Sequence, residues 1–179
     1  FGRMVGPESM NLHFVTPSCT SGTAGLVRGH VVIEPNSEAE LNRIKGKVKG
    51  AWVLVGGKNS GWPIYLNAKE DSVRAKIKAE NALIEEENQK MMAEARAKGE
   101  RLDQSKMKPT KSHPGLYAHE LLELGALGFI QAGDLPLRAL YDRPMMADMT
   151  VTFDKLPKHA DIKLDAVQYD IIYKKVNNL

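Results

Sequence analysis

Apolar positions along this chain follow two rhythms, a short alternation that marks strands and a three-to-four spacing that marks helices. From Phe1 to Thr23 the sequence is rich in Gly, Pro, Ser and Thr, and Met10, Leu12 and Phe14 alternate with polar neighbours, which predicts one short strand in a lead-in segment, residues 1–25. Val31, Val32 and Ile33 form a β-branched run that stops at Pro35-Asn36, so a buried strand is expected within Leu26 to Glu34. Ser37 with Glu40 three residues on predicts a capped short helix through Ile44, stopped by Gly46. Ala51 to Val55 is continuously apolar between Gly50 and Gly56-Gly57, the pattern of a strand covered on both faces that ends in a tight turn.

Asn67 and Glu70 then offer a capping box for a long helix from about Ala68 to Lys98, with Gly99 placed to end it. Its apolar positions Val73, Ile77, Ile84, Met91 and Ala95 are spaced by four or seven, and Glu86–Lys90 and Glu94–Lys98 are favourable pairs on a solvated side. One narrow stripe results, which serves either packing on its own domain or contact with another helix, a second copy of this chain included. Arg101 to Ser112 is polar and contains Pro109, so it reads as a flexible return loop. A second amphipathic helix is expected from Pro114 to Leu124, with Leu116, Leu121, Leu122 and Leu124 inward and Gly125 as its stop. Phe129 and Ile130 then enter a short buried strand, Met145 to Phe153 alternates weakly as a further strand, and Ile162-Lys163-Leu164 is a third. Asp165 caps a final helix burying Val167, Tyr169, Ile171, Ile172 and Val176. The order β, α, β, long α, α, β, β, β, α predicts a mixed α/β domain.

Hydrophobic residues at 42% place the chain among globular proteins, and Lys+Arg 25 against Asp+Glu 22 leaves a net charge of +3 with the two signs interleaved. No basic run with aromatic neighbours is present, which argues against nucleic acid as a partner. No apolar run reaches the roughly 20 residues of a membrane-spanning helix. The single cysteine, Cys19, excludes an internal disulfide and a thiolate metal cluster, and its loop offers no base to activate it. A start at Phe1 rather than Met is expected of a mature or excised fragment.

Two phrases, Gly46-Lys47-Val48-Lys49-Gly50-Ala51-Trp52-Val53-Leu54-Val55 and Glu123-Leu124-Gly125-Ala126-Leu127-Gly128-Phe129-Ile130, resemble those of protease-associated domains, and the tail with Ile162-Lys163-Leu164, Tyr169 and Ile172 resembles their closing strand and helix. The similarity spans about Val27 to Val176 and is nearest to the domain inserted in secreted zinc exopeptidases of the aminopeptidase Y type, particularly from Bacteroides-like bacteria, where a long charged helix divides the two phrases. It implies a compact swivelling β/α sandwich over residues 26–179 with a helical insertion at 67–112. It also implies an extracellular or periplasmic setting beside a peptidase domain, with a role in substrate access or protein contacts. That family's zinc and catalytic carboxylate belong to the peptidase domain, so no catalytic, cofactor or metal residue is carried onto this chain.

Two other chemistries can be read from the residues. His119 and Glu123 share a helix face four residues apart and would be the start of a metal-dependent hydrolase site, but Glu stands where the second His of an HExxH motif belongs and no third ligand is evident. His13, His30, His113 and His159 are scattered, with His113 alone near that pair in sequence. Gly56-Gly57-Lys58-Asn59-Ser60-Gly61 resembles a phosphate-cradling loop without the Walker spacing and reads as a turn, and Trp62 and Tyr65 beside it would suit a contact surface.

Overall fold

The computed structural model describes residues 1–17, 23, 25–59, 63–64, 68–99, 101, 104–134, 152, 154 and 158–178. Within them lie a two-stranded sheet, β1 (Gly2–Met4) with β2 (Met10–Leu12), and a five-stranded mixed sheet. The larger sheet has β3 (Phe14–Val15), β4 (Val31–Ile33), β5 (Trp52–Asn59), β6 (Gly128–Gly133) and β7 (Ala160–Leu164) in the order β3-β7-β6-β5-β4. Strands β4 to β7 run parallel, and β3 caps the β7 edge antiparallel. The helices are α1 (Glu38–Ile44), α2 (Ala68–Ala97), α3 (Ala118–Glu123) and α4 (Ala166–Asn177). The chain is thus mixed α/β, with its sheet open among the described residues.

Side-chain alternation sorts the sheet into two covered faces. Val32, Val53, Val55 and Phe129 point to one, where Leu41 and Ile44 of α1 and Leu116 to Leu124 around α3 close a first core. Leu54, Ile130, Ala132 and Leu164 point to the other, against Tyr169 and Ile172 of α4 and Met4, Met10 and Leu12 of the small sheet. Because β4, β5 and β6 step across the sheet in one direction, crossovers of the same hand place α1 and α3 on the same face. The N-terminal segment, expected to hold one short strand, holds β1, β2 and β3 and supplies part of the second core.

Local chemistry explains several boundaries. Ser37 accepts the Glu40 N–H at 3.2 Å and Glu40 reaches back to the Asn36 N–H at 2.8 Å, a capping arrangement that starts α1. Asp165 accepts the Val167 and Gln168 N–H groups and starts α4. Gly99 has φ +67°, the left-handed conformation that ends α2. Gly128 is required for another reason: a Cβ there would lie 2.1 Å from the Ala160 carbonyl oxygen, so β6 and β7 close up only around a bare backbone.

Four expectations need correction. Strand β5 does not end at Val55; it continues to Asn59 through a bulge at Gly56-Gly57, where its register on β6 slips, with Gly57 at φ +74°. The second helix begins at Ala118 after a turn rather than at Pro114, because Gly115 stands at φ +66°. In α4 only Tyr169 and Ile172 are fully buried; Val167 is 68% and Ile171 38% exposed, since the helical turn puts both on the side opposite Tyr169, Ile172 and Val176. Val73 of α2 is 36% exposed instead of inward. The strand expected at 145–153, the cap at Asn67, and Cys19, Trp62 and Tyr65 lie outside the described residues.

Candidate functional site

Among the described residues, the strand alternation sends several polar and charged side chains inward. Strand register puts Glu34, Val55, Gln131 and Lys163 side by side across β4 to β7 on the first-core face, with Phe129 and Asp161 in the row before. Asp161 and Lys163 are both 0% exposed, and Glu34 is 7%. A charge at such depth needs a partner, and each has one.

The Lys163 ammonium donates to Asp161 Oδ1 at 2.7 Å and to Gln131 Oε1 at 3.4 Å. Asp161 Oδ2 accepts the Ile64 N–H at 3.0 Å, and Gln131 Nε2 donates to the Gly56 carbonyl at 2.9 Å. Glu34 accepts the Gly56 N–H at 2.6 Å with one oxygen and the Gly115 N–H at 2.8 Å with the other. From α2, the Arg74 guanidinium donates to the Ile64 carbonyl, to the Pro114 carbonyl at 3.4 Å, and to Asp71 at 3.0 Å. The bonds close on themselves. Starting at Glu34 the circuit runs through the β5 bulge, Gln131, Lys163, Asp161, Ile64, Arg74 and the Pro114-Gly115 turn, and returns to Glu34. Gly115 has to be glycine at this point, because a Cβ would stand 2.4 Å from Ile64 Cγ2. Tyr169 donates from α4 to the Val55 carbonyl at 2.7 Å and pins the bulge from the other face.

Burial sets the titration of these groups. It pushes the Glu34 carboxyl up to about 7, against the Gly56 and Gly115 amides and the Arg74 charge, which pull it down. It lowers the Lys163 ammonium while Asp161 acts to raise it. Tyr169 is held above its ordinary value, first by burial and then by the charge of Glu34.

Helix α2 leaves this circuit as an arm, and its inner edge is polar at a seven-residue spacing: Arg74, Asn81 and Asn88 are buried. The segment after the helix runs back along it. Asn88 donates to the Lys108 carbonyl at 2.9 Å and accepts the Lys108 N–H at 2.9 Å; Asn81 does the same to Lys111, both at 2.8 Å, and Arg74 meets Pro114. Asn81 also donates to the Asn36 carbonyl at 3.0 Å, which fastens the arm beside α1. Seven helical residues rise about 10.5 Å and three extended residues about 9–10 Å, so positions 74, 81 and 88 meet 114, 111 and 108 in register. Glu87–Lys108 at 2.6 Å and Glu80–Lys111 at 2.7 Å repeat the same spacing. With Asn81 and Asn88 on one side and Glu80 and Glu87 on the other, the strap crosses the apolar line between them, and Ile84 and Met91 on that line are half-buried. The expected flexible loop is therefore a clasped strap, and the asparagines that hold it stood on the side expected to be solvated. Replacing Asn88 by Ala should cost about 1–2 kcal/mol and Asn81→Ala more, since Asn81 has a third bond; urea unfolding of the two variants checks the order.

At the base of the arm, His113 Nε2 lies 2.9 Å from Glu70, and His119 Nε2 lies 3.1 Å from Asp71. Burial acts to raise the Asp71 carboxyl, but the bonds from His119 and Arg74 outweigh it and hold it low. Lys78 pairs with Glu120 and lies 4.6 Å over the Tyr117 ring. The pair His119 and Glu123 is not brought to a common point: His119 turns to Asp71, and Glu123 is exposed. Among the described residues no group of three His, Cys, Asp or Glu side chains is placed to hold a metal. His30 bonds the Lys47 carbonyl at 2.6 Å, and the His159 ring meets Phe129 edge-on at 5.7 Å.

No described helix is long and apolar enough to cross a membrane. No protein-family model, curated protein or solved structure matches the chain.

Proposed function

We propose that this chain is a non-catalytic domain of the protease-associated type, belonging to a secreted zinc exopeptidase of the aminopeptidase Y class, and that it contacts the peptidase domain and shapes substrate access with its strapped arm. One observation carries the reading. The two phrases that resemble that family lie side by side as the parallel central strands β5 and β6, with Trp52 opposite Gly128, and their leading turns are joined by Gly50 N–H to the Gly125 carbonyl at 2.9 Å and Leu127 N–H to the Ala51 carbonyl at 2.8 Å. The long charged helix falls between them in the β5-to-β6 connection, as it does in those exopeptidases. On this reading the five-stranded sheet is the core of the family's β/α sandwich, the setting is extracellular or periplasmic, and zinc belongs to the peptidase domain.

The buried ionisable groups support a scaffold role, because Glu34, Asp161, Lys163 and Arg74 are bonded to one another or to backbone and are held inside the protein. The α2 stripe leaves little apolar surface for self-association, since Ile77 packs on the first core and the strap crosses the half-buried Ile84 and Met91. The competing reading is a hydrolase using His119 and Glu123. Zinc analysis after dialysis, with an aminoacyl-p-nitroanilide assay, separates the two. The expected result is no retained zinc and no turnover in either wild type or His119→Ala; one zinc per chain, or turnover abolished by His119→Ala, would reject the scaffold.

A further inference from the structure

We propose that the β4 edge of the large sheet joins a second copy of this chain, the two β4 strands pairing antiparallel about a two-fold axis at Val32 so that the two five-stranded sheets become one. Strand β4 is the last in the sheet order, and its ladder shows which of its backbone groups are left over. The Trp52 N–H donates to the His30 carbonyl at 2.8 Å and the Glu34 N–H to the Leu54 carbonyl at 3.0 Å, so residues 30, 32 and 34 turn their backbone groups to β5. Val31 and Ile33 turn theirs outward, where no described residue meets them. Such an edge is a template for another strand.

The edge complements itself. With Val32 opposite the partner's Val32, Val31 faces the partner's Ile33 and Ile33 the partner's Val31, and both outward N–H and both outward C=O groups of each copy are paired across the axis. Pro35, which has no N–H, closes the run just beyond. The half-buried side chains of Val31 and Ile33 then cover each other on the second-core face.

Charge lies along this edge with the same symmetry. Helix α1 runs back beside β4, so its acidic first turn, Glu38 and Glu40, lies where β4 finishes and its basic last turn lies where β4 begins. Glu40 reaches the Asn36 N–H at 2.8 Å at the first of these ends, and at the second the His30 ring bonds the Lys47 carbonyl at 2.6 Å. Arg28, Arg43, Lys45 and Lys47 are all exposed at that second end. The arm adds to the acidic end. Arg74 is tied through Ile64 to Asp161 of β7, whereas Asn81 is tied to Asn36 beyond β4, so α2 crosses the sheet toward this edge. Residues 82–97 continue past Asn36 for roughly 24 Å. After burial, the charges of Glu85, Glu38, Glu120 and Glu40 all act to raise the Tyr117 phenol, which gathers these carboxylates around one point. An antiparallel pair sets each acidic end beside the partner's basic end, whereas a parallel pair would set like against like.

Sedimentation equilibrium of the full chain is the test. A monomer–dimer equilibrium is expected, reaching twice the 19.8 kDa chain mass and weakening as salt is raised, because the charges at both ends are exposed or half-buried. Val31→Pro takes away an outward N–H and leaves the bonds to β5 in place, so it should stay folded by circular dichroism yet weaken the dimer at least about tenfold. Charge reversal gives an independent reading. Lys45→Glu with Lys47→Glu, and separately Glu38→Lys with Glu85→Lys, should each give monomers, and mixing the two proteins should restore a dimer, because every altered end then meets its complement. A wild type that stays monomeric at submillimolar concentration, a dimer indifferent to Val31→Pro, or a mixture that stays monomeric would each overturn the proposal. If Val31→Pro does not fold, the charge-reversed proteins decide, since their four positions are exposed or half-buried.

Discussion

Lys163→Met is expected to lower the unfolding free energy by about 3–5 kcal/mol, because methionine keeps the length of the stem but leaves the Asp161 carboxylate buried without its cation. Both side chains are 0% exposed, so water cannot replace the lost partner. In a chain of this size the loss corresponds to a fall in Tm of roughly 10 °C, readable by thermal or urea unfolding. Adding Asp161→Asn to the same protein should recover most of the loss, since the pair is then neutral on both sides and its worth lies largely in not being broken. A single variant that loses less than about 1 kcal/mol would mean that the pair is hydrated and the circuit open.

Arg74→Met should be the second largest, at about 3 kcal/mol, because it strips the donor from two backbone carbonyls, Ile64 and Pro114, that have little access to water. Its signature differs from that of Lys163→Met. Losing Arg74 frees the near end of the strap, so trypsin should cut after Lys106 and Lys111, Lys108 being shielded by the following Pro109, sooner than global unfolding alone allows. Lys90→Met removes an exposed pair with Glu86 on the far side of the same helix and should be indistinguishable from wild type in both assays.

The sequence carried the fold's skeleton better than its interior. The 30-residue α2 helix was legible to within a residue at its end because Gly99 closes a long polar-faced run, and β5 and β6 were legible as apolar runs between glycines. Apolar periodicity could not find the buried polar rows, because it treats a charged residue as evidence of solvent. Asp161 and Lys163 flank Ile162 in a strand whose other face is apolar, and β7 lies between β3 and β6; once the sheet is known to be covered on both faces, two charges on one side of an interior strand have to be paired. The asparagines of α2 carried a usable signal, since Asn81 and Asn88 repeat at seven beside Ile77, Ile84 and Met91. Asparagine is a poor residue for a helix interior unless its amide has somewhere to bond, and here it reads an extended backbone. The bulge at Gly56-Gly57 was misread as a turn because glycine pairs mark both, and only the partner strand decides which.

Amide hydrogen exchange across residues 104–114 tests most directly the claim that inward polar groups build and hold the arm. Lys108 and Lys111 lie in no helix or strand, yet each N–H is predicted to exchange slowly, because it donates to an asparagine oxygen of α2, at 2.9 Å and 2.8 Å respectively. Their protection should vanish one at a time in Asn88→Ala and Asn81→Ala. Exchange of both at free-chain rates in the wild type would contradict the strap, and with it the view that these side chains exist to hold a scaffold in shape.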